Sequence, residues 1–160
     1  MSKSLKRVTA ALAEAGLPEA PVEVGQARTA EEAALAAGCA LDQIVKSIIF
    51  AGEESGAVYL FLTAGGNRVD PGLAASLAGE PLRRASGEEV RARTGFAIGG
   101  VAPIAHAAPV PSWFDPRLRD FDEVWAAAGT PRHIFRISPE QLLALSGARE
   151  AAFTAPSDGA

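Results

Sequence analysis

Gln43-Ile44-Val45-Lys46-Ser47-Ile48-Ile49-Phe50-Ala51, a turn at Glu53-Glu54-Ser55-Gly56, and then Ala57-Val58-Tyr59-Leu60-Phe61-Leu62-Thr63 form the stretch that decides the fold. Two β-rich runs joined by a short glycine-containing turn read as a hairpin. Side chains alternate along a strand, so Ile44, Lys46, Ile48 and Phe50 share one face of the first run. An ammonium among such neighbours is costly unless something anionic or strongly polar meets it. Lys46 is therefore either a snorkelling edge residue or the anchor of a site for an anion. It also stands alone in composition: the other lysines are Lys3 and Lys6, and arginine supplies every basic residue after Lys46.

Outward from the hairpin, helices and short strands alternate. Leu5, Val8, Ala11, Leu12 and Ala15 recur at helical spacing, and Gly16 with Pro18 ends that helix. Pro21 to Val24 is a short strand candidate, and Thr29-Ala30-Glu31-Glu32 fits a capping box opening a helix that Gly38 closes. Asp70-Pro71 places a cap and an N1 proline before a helix ending near Ala78-Gly79. Pro81 to Arg84 reads as a short strand, and Ser86-Gly87-Glu88-Glu89 as a second capping box leading to Arg93. Ser112 to Asp115, Glu123 to Ala126 and His133 to Ile137 read as extended, and Ser138-Pro139-Glu140 starts a last helix through Leu145. Hairpins among interspersed helices predict one α+β domain over residues 1–154 with a mixed sheet. Residues 155–160 read as a flexible polar tail.

Composition narrows the function. The chain has 160 residues, 48% of them hydrophobic and 21% charged, ordinary for a globular protein. A formal charge of -4 argues against a protein that coats nucleic acid, which needs excess positive charge. A local basic patch from Arg83, Arg84, Arg91 and Arg93 stays open. One cysteine excludes an intramolecular disulfide and fits a reducing cytoplasm. No apolar stretch of about 18 residues and no signal-peptide core occurs, so no membrane span is expected.

The strongest loop signal is Thr94-Gly95-Phe96-Ala97-Ile98-Gly99-Gly100-Val101-Ala102-Pro103-Ile104-Ala105-His106. Glycines let a backbone approach a ligand closely, and free amides can hold an oxyanion or carbonyl. The alternative is a bulged strand with a glycine turn. The segment lacks a Walker A ending and a dinucleotide fingerprint. His106 and His133 lack zinc-site spacing, so no metal and no cofactor are expected. Cys39, just after a helix stop, reads as a small buried residue, Trp113 and Trp125 read as core, and no Gly-x-Ser-x-Gly elbow occurs. Asp115, Asp120 and Asp122 are either solvated loop carboxylates or include one site residue.

Taken together, the Gln43–Phe50 run and the Thr94–Pro103 segment about fifty residues later resemble the YbaK/ProX family. These are free-standing relatives of the editing domain inserted in bacterial prolyl-tRNA synthetases. Asp115 after the loop and the closing Ser138-Pro139-Glu140-Gln141-Leu142-Leu143 helix also match. The resemblance implies a single α+β domain with a mixed, barrel-like sheet and flanking helices. It implies a cytoplasmic aminoacyl-tRNA deacylase that hydrolyses the ester of a small mischarged amino acid, of the Cys, Ala, Ser or Thr class, at a tRNA 3′ end. Lys46 would bind near the terminal adenosine and its phosphate, and the amides of Gly99, Gly100 and Val101 would hold the aminoacyl carbonyl. Water attacks, with the tRNA's own ribose hydroxyl assisting. Thr29, Gly95, Pro103 and Asp115 are the further substrate-binding positions, and an aminoacyl-tRNA synthetase is a candidate partner.

The sequence departs from the family pattern at three places. Ala105 stands where the family often has glycine, two residues after the proline. Ala126-Ala127-Ala128-Gly129-Thr130 replaces the Ser-Gly-Gly stretch of the cysteine-clearing branch, and His133 and Ile134 follow. A second reading is therefore a non-catalytic module that binds an aminoacyl-adenosine-like group or a synthetase, and a third is a nucleotide or small-anion sensor.

Overall fold

The structure, a computed structural model, describes residues 2–17 and 20–156. Among these, five helices flank an eight-stranded mixed sheet. The helices are α1 (Lys3–Glu14), α2 (Ala30–Ala37), α3 (Pro71–Ala78), α4 (Gly87–Thr94) and α5 (Pro139–Ser146). Each starts where a capping side chain takes an otherwise orphaned backbone amide. Ser2, Thr29, Asp70, Ser86 and Ser138 all do so. The Ser86–Glu89 box is reciprocal, Ser86 N donating to Glu89 Oε1 at 2.9 Å. The box expected at Thr29 is shifted: its hydroxyl caps Glu32 N, but the Glu32 carboxylate accepts from Arg28 N. Pro18, expected to help end α1, lies outside the described residues.

The strands are β1 (Val22–Glu23), β2 (Ile44–Gly52), β3 (Val58–Ala64), β4 (Leu82–Arg84), β5 (Ser112–Phe114), β6 (Val124–Ala127), β7 (His133–Ile137) and β8 (Arg149–Glu150). The expected hairpin is the centre, with β2 antiparallel to β3 and Lys46 opposite Thr63. The Glu80 carboxylate fastens its turn by accepting from Glu54 N, Ser55 N, Ser55 Oγ and Tyr59 Oη. The sheet runs β1-β7-β6-β2-β3-β5-β8, with β4 also on β2. Pairings β2–β6, β3–β5 and β5–β8 are parallel and the others antiparallel. The α+β reading with a mixed sheet therefore holds. The two-residue β8 carries no alternation that a sequence could reveal.

Alternation along β2 sorts its neighbours. Val45, Ile49 and Ala51 join the main core with Leu60, Leu62, Phe96, Phe114 and Phe135. On the other face Ile44 packs with Ala33 and Ala34 of α2, while Ile48 and Phe50 join Phe61, Trp113 and Phe153. Lys46 thus stands in the gap between two satellite cores. The Thr94–His106 segment forms no bulged strand; after Thr94, the last residue of α4, it is a loop leading toward β5. Ala155 N donates to Arg68 O at 2.8 Å, so the C-terminal segment is paired at its start; residues 157–160 lie outside the described residues.

Candidate functional site

A cleft of about 350 Å³ opens over the Lys46 face of β2, inside the roughly 300–1,000 Å³ range of small-molecule sites. Its walls come from the loop before α2 and its first turns (Ala27, Arg28, Thr29, Ala30, Ala33), from β2, from the glycine loop (Gly99, Val101), and from β6 and the turn into β7. Most of this lining is apolar, with alanines at 27, 30, 33, 126 and 127 beside the larger Ile44, Ile134 and Trp125. Lys46, Thr29, Gly99 and Val101 therefore share one cavity. Gly100, Gly95, Pro103 and Asp115 are not part of its lining.

The partners of each residue explain this division. Lys46 Nζ donates to Asn67 O at 2.6 Å. No carboxylate lies within ion-pair distance of it among the described residues. Burial is the main influence on its ammonium and lowers its pKa below 10.5, with Glu31 pulling the other way and Arg68 adding to the fall. Thr29 uses its hydroxyl oxygen to cap α2, which leaves the hydroxyl hydrogen for a ligand.

The loop amides are not equivalent. Gly100 N donates to Ala97 O at 3.1 Å, closing a tight turn, and a Cβ on Gly100 would lie 2.8 Å from the Thr130 backbone. Glycine is needed there because the loop presses against the β6–β7 connection. Gly99 has φ +94° and open space around its Cα. Of the three expected amides, those of Gly99 and Val101 have no protein acceptor among the described residues, and these two residues line the cleft. Gly95 is the left-handed C-cap of α4 and packs against the Arg7 guanidinium. Pro103 is buried in the loop.

Asp115 is 2% exposed, not a solvated carboxylate. It accepts from Ala64 N and Asn67 Nδ2 through Oδ2, and from Arg117 N through Oδ1. Ala105 has φ +62°, the left-handed region that favours glycine, so the family's glycine at this position has a backbone reason. Arg7 braces the same place, donating to Ala105 O and Thr94 O while lying 4.4 Å from the Phe96 ring centre.

Thr130 and His133, named in the sequence only as departures from the family pattern, line the cleft, and so does Trp125. Thr130 Oγ1 accepts from Arg132 N and sits 2.7 Å from His133 Nδ1. If the hydroxyl donates to Nδ1, the neutral ring carries its hydrogen on Nε2. Trp125, expected as core, is half-buried and lines the cleft under Arg136. Cys39 is half-buried with its thiol pKa raised by burial, and His106 Nε2 bonds Ala102 O with a pKa lowered by burial. Neither lines the cleft. Arg83, one of the four arginines that left a basic patch open, is paired with both oxygens of Glu89. No helix among the described residues is long and apolar enough to cross a membrane.

The fold is shared with known proteins. The model of the aminoacyl-tRNA editing domain matches residues 24–145. The uncharacterised protein YwhH of Bacillus subtilis (strain 168) is 33% identical over 114 residues, covering 71% of this chain and 72% of YwhH. The proline–tRNA ligase of Shouchella clausii (strain KSM-K16) is 30% identical over 140 residues; the match covers 80% of this chain but 24% of the ligase. A crystal structure of a candidate trans-editing enzyme for prolyl-tRNA synthetase superimposes with a TM-score of 0.89 at 50% identity, covering 98% of this chain and 99% of the other.

Proposed function

This chain belongs to the aminoacyl-tRNA editing domain family, and on that premise we propose that it is a cytoplasmic trans-editing deacylase. Its substrate would be a tRNA carrying a small mischarged amino acid, of the Cys, Ala, Ser or Thr class. The observation that carries the reading is the shared cleft: an ammonium on one wall and two unengaged loop amides on another, over small apolar side chains. Lys46 would hold the phosphate next to the terminal adenosine. The amides of Gly99 and Val101 would donate to the aminoacyl carbonyl oxygen and meet its negative charge as the tetrahedral intermediate forms. Water adds to the carbonyl carbon, assisted by the neighbouring ribose hydroxyl; the ester C–O bond then breaks and the tRNA 3′ end leaves as a hydroxyl. Positioning supplies much of the rate, and no side-chain nucleophile is required. Alanines at 27, 30, 33 and 127 leave room for a short side chain, while Ile44 and Ile134 disfavour a charged one.

A second reading is favoured by the Gly100 amide, which is spent inside the loop turn: a module that binds an aminoacyl-adenosine end, or a synthetase, without turnover. A panel of tRNAs charged with Ala, Ser, Thr, Cys or Pro separates the two. Hydrolysis of one or more small residues is expected; binding of the panel with no ester cleaved would discard the deacylase.

A further inference from the structure

The turn after β3 holds a feature that the proposed chemistry does not yet use. Ala64-Gly65-Gly66-Asn67 closes with Asn67 N donating to Ala64 O at 2.9 Å. Gly65 lies so close to Leu41 that an added Cβ would overlap its carbonyl oxygen, and Gly66 N donates to Asp42 Oδ1 at 2.8 Å. Asp42 is fixed in turn by the Arg117 guanidinium at 2.9 Å. The Asn67 side chain donates to buried Asp115 at 2.9 Å, and its main-chain carbonyl receives Lys46 Nζ at 2.6 Å.

We propose that Asn67 and Asp115 are positioning residues that aim the Lys46 ammonium into the cleft without neutralising it. This rests on the deacylase reading above. The chemistry lies in the order of the groups. A carboxylate in direct contact with the ammonium would cancel the charge that an anionic ligand needs. A carbonyl orients one of its three N–H donors and leaves the net charge and two donors for phosphate oxygens. The carboxylate sits one group further back, where it locks the Asn67 amide and therefore the direction of that carbonyl. Asp115 ties down three elements at once, the end of β3, the Asn67 turn and the short 3-10 turn Pro116–Asp120, so the direction is set by the fold and not by the flexible lysine stem.

The test uses the fact that Lys46 shares the chain with only two other lysines, Lys3 and Lys6. In the intact protein the Lys46 ¹⁵Nζ ammonium should exchange its protons with water more slowly than those of Lys3 and Lys6. Asn67→Ala should speed that exchange and lower kcat for deacylation about 10-fold, the size of one mispositioned contact. Asp115→Asn should act in the same direction and add little when combined with Asn67→Ala, because both act through one carbonyl. Melting temperatures run alongside keep a folding defect in Asp115→Asn apart from mispositioning, and Asn67→Ala decides where that variant does not fold. Turnover loss with unchanged Lys46 exchange, or a lower melting temperature with unchanged exchange and turnover, would overturn the proposal. If the wild-type protein cleaves no charged tRNA, the deacylase reading fails, while the exchange rates still decide whether the pair positions Lys46.

Discussion

The two walls of the cleft are organised by opposite means. Lys46 lies on β2, which pairs with β3, β4 and β6, and its ammonium is directed by a hydrogen-bonded turn. The facing loop has no regular structure. Its shape comes from a left-handed Gly99, a Gly100 pressed on Thr130, and a left-handed Ala105, with Ile98 62% exposed beside them. The difference follows from what each wall presents. A lysine stem carries about 2 kcal/mol of rotamer entropy, so a cation needs a partner to give it direction. A main-chain amide has no rotamers, and backbone dihedrals alone aim it.

The largest expected effect falls on the first wall. Lys46→Ala should lower deacylation about 100-fold or more while circular dichroism and the melting temperature stay near wild type. Retained activity would mean that the loop works without the cation. On the second wall, Gly100→Ala should destabilise the protein by about 1–3 kcal/mol in urea unfolding, because a Cβ meets backbone and not a movable side chain. Gly99→Ala has open space and should cost about 1 kcal/mol, from backbone strain alone. Equal costs at 99 and 100 would show that the contact with Thr130 does not shape the loop.

A pH series sharpens the contrast. Burial first, then Arg68, favours the neutral form of Lys46, so its folded pKa lies below 10.5. Affinity for an unreactive amide-linked aminoacyl-adenosine phosphate should therefore begin to fall at a pH below the ordinary lysine range, and Lys46→Arg should flatten the fall. Over the same window the unfolded chain binds more protons than the folded one, so stability contributed by this residue rises with pH up to about 10.5. Lys46→Met should lack that increment in paired unfolding titrations. The smallest effect expected is a gain: Ala105→Gly relieves a left-handed alanine and should add up to about 1 kcal/mol, offset in part by the freedom glycine gains when unfolded.

Much of the frame was legible because it rests on local chemistry. Asp70-Pro71, Ser86 with Glu89, and Ser138-Pro139 mark helix starts through contacts within a few residues. The β2–β3 hairpin and the shared face of Ile44, Lys46, Ile48 and Phe50 follow from alternation. The candidate site was legible in outline to the extent that Lys46, Thr29, Gly99 and Val101 line one cleft. Its finer assignments were not. Gly100 resembles its neighbours in sequence but spends its amide on Ala97, and Asp115 is buried behind the turn, outside the cleft lining. Thr130 and His133 stood out only as departures from a pattern, and Trp125 read as core.

The sequence alone determined where four of the five helices begin, that two strands form a hairpin, and which face of the first strand carries the cation. Those properties depend on periods of two or 3.6 and on capping groups a turn away. The tertiary structure decided which loop amides remain free, and that a carbonyl 21 residues away meets the ammonium while a carboxylate 48 residues beyond holds that turn. A strand's alternation says which way a side chain points; only the packed fold says what stands opposite it.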